Sequence, residues 1–127
     1  VQRLALIGLF GCVIRTQAEL ALTDSADQRL VEVAFEPTAI GQTASLVVRV
    51  ANVGSAKSAA VGLQILGPNS DIFGMFSECG GRVLEADTAC EVTLVFAPTR
   101  PGTSTAQLFI AGDPLGIQTI AIVGHAQ

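Results

Sequence analysis

Tryptophan and tyrosine are absent from this sequence of 127 residues, and its 5% aromatic content is all phenylalanine. Any core must therefore be filled by Val, Ile, Leu, Ala and a few Phe. Histidine occurs once, at His125, so a metal centre would have to be built almost without imidazole. Lysine also occurs once, at Lys57, and 7 Lys+Arg stand against 11 Asp+Glu. Phosphate recognition needs clustered Arg and Lys; their absence argues against nucleic acid as a partner. There is no D-x-D-x-D run for calcium, no C-x-x-C for redox exchange and no G-x-S-x-G frame for a nucleophilic serine. No apolar stretch is long enough for a membrane-spanning helix. Internal repeats, heptads and low-complexity tracts are missing as well.

What the chain does have is 50% hydrophobic residues, with 13 Gly and 5 Pro spaced between short β-branched runs. That composition predicts an all-β fold with many turns. Its centre is the stretch from Cys79 to Gly102. Cys90, Val92, Leu94 and Phe96 alternate with Glu91, Thr93 and Val95, the period of a strand with one buried face. Ala97-Pro98 stops the run, because proline has no N–H for a ladder and restricts the residue before it. Pro101-Gly102 turns the chain into a second alternating run, Thr103 to Ala111, with Ala106, Leu108 and Ile110 on one face.

The same pattern recurs elsewhere. Leu30 to Glu36 places Val31, Val33 and Phe35 on one side and ends at Pro37. In Thr43 to Val53, Arg49 must reach solvent, so Leu46, Val48 and Val50 are expected to face inward. Asn52-Val53-Gly54-Ser55 is a turn signal, Ser58 to Leu66 a further strand, and Gly67 to Asp71 a loop. Ile72 to Phe76 is a short apolar patch whose form the pattern leaves open; core filling beside the cysteines is preferred to an exposed contact. Gly112 to Gly116 turns the chain, and Ile117 to Val123 is the last strand, with Ile120 and Ile122 inward. About seven strands with regular turn signals predict an immunoglobulin-like Greek-key β-sandwich. The two outermost strands are expected to be Val31–Glu36 and Ile117–Val123, the first kept from indiscriminate pairing by Glu32 and Glu36.

The N-terminus reads as a targeting segment. Arg3, the apolar run Leu4 to Ile14 and the small-x-small triplet Thr16-Gln17-Ala18 are the parts of a secretory signal over residues 1–18. Residues 19–29 are expected to be a linker, and residues 30–127 the folded domain. Leu9-Phe10-Gly11-Cys12 resembles a lipobox, which would make Cys12 a lipidation site; a passenger cysteine in a discarded signal is the preferred reading.

Phe35, Pro37 and Gly41, then Asn52 and Gly54, then Phe73 and Cys79 form an ordered series. Cys90, Val92, Leu94, Phe96, Pro98, Gly102 and Val123-Gly124 continue it. In this order the chain resembles the choice-of-anchor D / ASH-type (abnormal spindle and Hydin) Ig-like domain family over residues 30–127. The resemblance implies a seven-stranded sandwich without a catalytic site. It also implies, for bacterial members, secreted or surface modules that often stand beside further Ig-like domains. Eukaryotic relatives would imply a cilium- or centrosome-type scaffold domain.

Removing a signal with Cys12 leaves an even pair, Cys79 and Cys90, which an oxidising compartment would close into a disulfide. His125 has no partner in the pattern, and Asp24, Asp27, Asp71, Asp87 and Asp113 fall in linker or turns, where turn formation accounts for them. No cofactor is expected. The function expected is a non-catalytic extracytoplasmic (secreted, periplasmic or cell-surface) interaction or spacer module with an unidentified protein partner. The alternative is a periplasmic chaperone- or carrier-like sandwich that binds a partner by strand addition.

Overall fold

A computed structural model describes residues 17–114 and 116–127. Among them are eight strands: β1 (Leu20–Thr23), β2 (Glu32–Ala34), β3 (Ala44–Asn52), β4 (Gly62–Leu66), β5 (Phe73–Ser77), β6 (Ala89–Phe96), β7 (Gly102–Ala111) and β8 (Gln118–Ala126). The only helical element among the described residues is a single 3₁₀ turn, Ser70–Ile72. The strands form two four-stranded sheets, ordered β1-β3-β6-β5 and β2-β8-β7-β4. Non-sequential neighbours in both sheets give the expected Greek-key, Ig-like sandwich.

The alternating runs face as their period requires. Cys90, Val92, Leu94 and Phe96 of β6, Val48 and Val50 of β3, Ala106, Leu108 and Ile110 of β7, and Ile120 and Ile122 of β8 are all buried between the sheets. Burying each large apolar side chain contributes roughly 1.5–3 kcal/mol, and Leu94→Ala in the middle of β6 would cost about 2–5 kcal/mol. β6 stops where Ala97 turns its N–H to the Ile72 carbonyl, 2.8 Å away, ahead of Pro98. Gly102 then starts β7 at φ +103°, a left-handed angle that favours glycine.

The N-terminal region differs from expectation in two ways. Residues 19–29 are not a linker throughout, because Leu20–Thr23 is buried along its whole length and pairs antiparallel with β3 from Leu20↔Asn52 to Thr23↔Arg49. The leading strand is also divided between the sheets. After β1 the chain crosses over, and β2 pairs parallel with β8, Val33 lying opposite Ile122. This switch adds an eighth strand to the expected seven. It also encloses β8 between β2 and β7, so the last strand is not an edge. Residues 1–16, which hold most of the expected secretory signal and Cys12, lie outside the described residues.

Candidate functional site

The marker residues of the sequence converge in space. Phe35, Phe73 and Phe96 come from three separate stretches and pack as a trio, with ring centroids 5.1 Å apart for Phe73–Phe96, 5.6 Å for Phe35–Phe96 and 6.0 Å for Phe35–Phe73. Such aromatic clusters add to the free energy of simple area burial. Gly124 lies against the Phe96 ring, where a side chain would have no room. The second pair of markers, Asn52 and Gly54, works differently. Asn52 is buried, and its amide is fully used: Oδ1 accepts from the N–H groups of Gly54 (3.0 Å) and Glu19 (3.2 Å), while Nδ2 donates to the carbonyls of Ala56 (2.8 Å) and Leu84 (2.9 Å). One side chain thus ties together the turn after β3, the loop before β6 and the start of β1. A Cβ on Gly54 would meet the Gln17 carbonyl oxygen at 2.3 Å, so glycine is what lets residues 17–19 cross here.

Cys79 and Cys90 are joined by a disulfide with Cα atoms 5.5 Å apart. Both are buried, and the bridge closes the loop between β5 and β6 within one sheet. The apolar patch at 72–76 divides: Ile72 and Phe73 enter the core, whereas Phe76 on β5 is 72% exposed.

The other candidate residues remain scattered. His125 is exposed on β8, its Nδ1 3.3 Å from Thr103 Oγ1 on β7. Asp24 Oδ1 accepts from Ala26 and Gln28 N–H groups in a local turn. Asp27 and Asp87 occupy left-handed positions at φ 61° and 63°, conformations that Asp tolerates better than most residues. Asp71 faces Arg100 at 3.7 Å, and Asp27 faces Arg49 at 3.5 Å. Among the described residues no three His, Cys, Asp or Glu side chains are grouped so as to hold a metal. None of their helices is long and apolar enough to cross a membrane. Asp113 is the exception to the turn reading. It is buried, and its Oδ2 accepts the Leu20 N–H at 2.7 Å and the Gln118 Nε2 at 3.1 Å.

That contact matters for the strand edges, which are the places where a sandwich can pair with another chain. Four strands are outermost: β1, β5, β2 and β4. The edge of β1 is occupied: Asp113 takes the Leu20 N–H, Gln118 Nε2 donates to the Leu20 carbonyl, and the Leu30 N–H donates to the Leu22 carbonyl at 2.7 Å. β2 is three residues long, and exposed Glu32 and Glu36 flank its open side ahead of Pro37. In β5 the Phe73 N–H turns back to the Ser70 carbonyl, and Gly74 interrupts the side-chain row. β4 is guarded at its start, where Val61 donates to the Arg82 carbonyl (2.7 Å) and accepts from the Gly81 N–H (2.8 Å). Beyond that point Leu63 and Ile65 turn their backbone groups the same way, since orientation repeats every second residue. Those groups have no partner among the described residues.

No protein-family model and no curated protein sequence matches the chain. Solved structures do. The chain is similar to the ASH / PapD-like domain of human CEP192, PapD-like domain 7, with a TM-score of 0.63 and 15% identity over 100% of this chain and 96% of that one. It is also similar to a protein of unknown function from Porphyromonas gingivalis W83, with a TM-score of 0.65 and 12% identity over 94% of this chain and 52% of that one. A third likeness is to the secreted serine protease VesC from Vibrio cholerae, with a TM-score of 0.54 and 15% identity over 76% of this chain and 23% of that one. At these identities the likeness establishes the fold alone, an Ig-like β-sandwich of two four-stranded sheets.

Proposed function

We propose that this chain is a non-catalytic, extracytoplasmic interaction or spacer module of the choice-of-anchor D / ASH kind. The observation that carries the reading is where the marker residues go. Phe35, Phe73, Phe96 and Gly124 fill one region of the core, Asn52 and Gly54 clamp the chain start, and Cys79–Cys90 closes a loop. Each marker is used to hold the sandwich together, which leaves strand edges and sheet faces as the surface for a partner. The disulfide supports an oxidising compartment. A leader removed after Ala18 would take with it buried Ala18 and the Gln17 carbonyl that accepts the Ser55 N–H at 3.2 Å, leaving the Glu19 contacts to Asn52 and Val53 to hold the chain start. The folded part then begins at β1 rather than at residue 30. The open edge of β4 favours a second reading, strand addition to a partner in the manner of a periplasmic chaperone or carrier.

The test is to compare wild type with His125→Ala and Asp87→Asn variants of the full chain for the envelope proteins each retains and for any hydrolytic or redox turnover. An unchanged retained set without turnover agrees with the proposal. A turnover abolished by one of these changes overturns it.

A further inference from the structure

We infer that removal of a leader after Ala18 uncovers a receptor site for the free C-terminus of a partner polypeptide, one that ends in alanine or another small residue. The inference rests on the reading that a leader is removed. It goes further by naming the chemistry that the vacated place takes.

The occupant's chemistry is visible because residues 17 and 18 sit in the place themselves. The Gln17 carbonyl accepts the Ser55 N–H at 3.2 Å, and Ala18 is 3% exposed. Both cross directly over Gly54, where a Cβ would lie 2.3 Å from the Gln17 oxygen and 2.8 Å from the Ala18 carbonyl carbon. The φ of Gly54 is outside the left-handed region, so its own backbone angle does not call for glycine. The close approach of the crossing chain does. Ala18 is enclosed, so the space it leaves suits a small side chain, and a large one overfills it.

Hydrolysis of the Ala18–Glu19 bond by an export peptidase consumes one water. Ala18 leaves with a carboxylate, and Glu19 keeps an ammonium. The Ser55 N–H then loses its acceptor. The ammonium stays beside Asn52 Oδ1, 3.2 Å from the Glu19 nitrogen, because the Val53 N–H still holds the Glu19 carbonyl at 2.8 Å. A chain that repeats the path of residues 17 and 18 sets its penultimate carbonyl on the Ser55 N–H. Its terminal carboxylate then meets the Glu19 ammonium, so an ion pair replaces the broken bond. Only a free C-terminus does this, since a continuous chain would run into Glu19. Lys57, the one lysine of the sequence, lines the same depression as Ala18 and has no ion partner among the described residues. The neighbouring carboxylates are engaged: Glu19 with Arg29 at 2.8 Å, and Asp113 with the Leu20 N–H at 2.7 Å and Gln118 Nε2 at 3.1 Å. Charge complementarity therefore selects an anion. One hydrogen bond, one enclosed methyl and one ion pair make a weak site, with a dissociation constant on the order of 1 mM.

The experiment titrates the peptide acetyl-Thr-Gln-Ala, with a free carboxylate, into isotope-labelled chain recovered from its own cells. Amide NMR follows binding, and intact mass fixes the first residue. A chain that begins at Glu19 should show saturable shifts at Ser55 and Gly54, with a dissociation constant on the order of 1 mM. The C-terminal amide of the same peptide should bind about threefold or more weakly, and acetyl-Thr-Gln-Phe about tenfold more weakly. These probes change only the ligand, so the fold of the protein is the same throughout. A chain made to keep Gln17 and Ala18 has the site filled and should not respond. No shift at Ser55 up to about 20 mM peptide overturns the inference alone, as does equal affinity for acid and amide. Retention of Gln17 and Ala18 by the chain from its own cells overturns the leader reading and the inference with it.

Discussion

A Cβ placed on Gly124 would lie 2.6 Å from the ring of Phe96. The glycine of the last strand therefore belongs to the aromatic cluster as much as the three rings do. Phe96 is fully buried and packed against Phe35 and Phe73, so it cannot yield without disturbing both. Gly124→Ala should cost about 1–3 kcal/mol in urea unfolding, the usual penalty of overpacking. Gly80→Ala, where nothing lies within 4 Å of the added atom, should stay within about 0.5 kcal/mol of wild type.

Asn52→Ala removes four hydrogen bonds at once and leaves the N–H of Gly54 and the carbonyl of Leu84 buried without their partner. A loss of about 3 kcal/mol or more is expected. Asn52→Asp keeps the acceptor but sets a buried carboxylate oxygen against the carbonyls of Ala56 and Leu84, so it should be at least as destabilising as Asn52→Ala. Chemical denaturation of the three proteins checks this order.

Asp113→Ala tests whether β1 is held from its outer side. The Leu20 N–H would lose its acceptor and Gln118 one of its contacts, at a cost of about 1–3 kcal/mol. Hydrogen exchange at Leu20 and Leu22 should quicken relative to the β6 amides. Equal acceleration across both sheets would contradict a local cap.

Much of the sandwich was legible in the sequence because inward and outward residues alternate there. The faces of β3, β6, β7 and β8 follow directly from Val48/Val50, Cys90–Phe96, Ala106–Ile110 and Ile120/Ile122. β1 was not legible because Leu20, Ala21, Leu22 and Thr23 are all buried, which erases the alternation that identifies a strand. The parallel pairing of β2 outside β8 leaves no periodic trace either, so the sequence pattern alone puts the last strand at an edge. Asp113 sits in a Gly-Asp-Pro sequence that any turn would use. Its partner, Leu20, is 93 residues away, and only the fold brings the two together. The free edge of β4 was equally hidden, since an unpaired backbone group has no signature in residue type.

The Cys79–Cys90 bridge closes a short loop, so its loss should act mainly through the unfolded chain. Replacing both cysteines by alanine should lower stability by about 2–3 kcal/mol without altering the far-ultraviolet spectrum. Urea midpoints with and without reductant on the wild-type chain give an independent check.

The most direct test of an exported, disulfide-closed module is intact-mass spectrometry of the chain recovered from its own cells, unfolded and alkylated without reductant. The expected species begins near Glu19 and carries no alkyl group on Cys79 or Cys90. A chain that retains residues 1–18 and takes up label at both cysteines would contradict that reading.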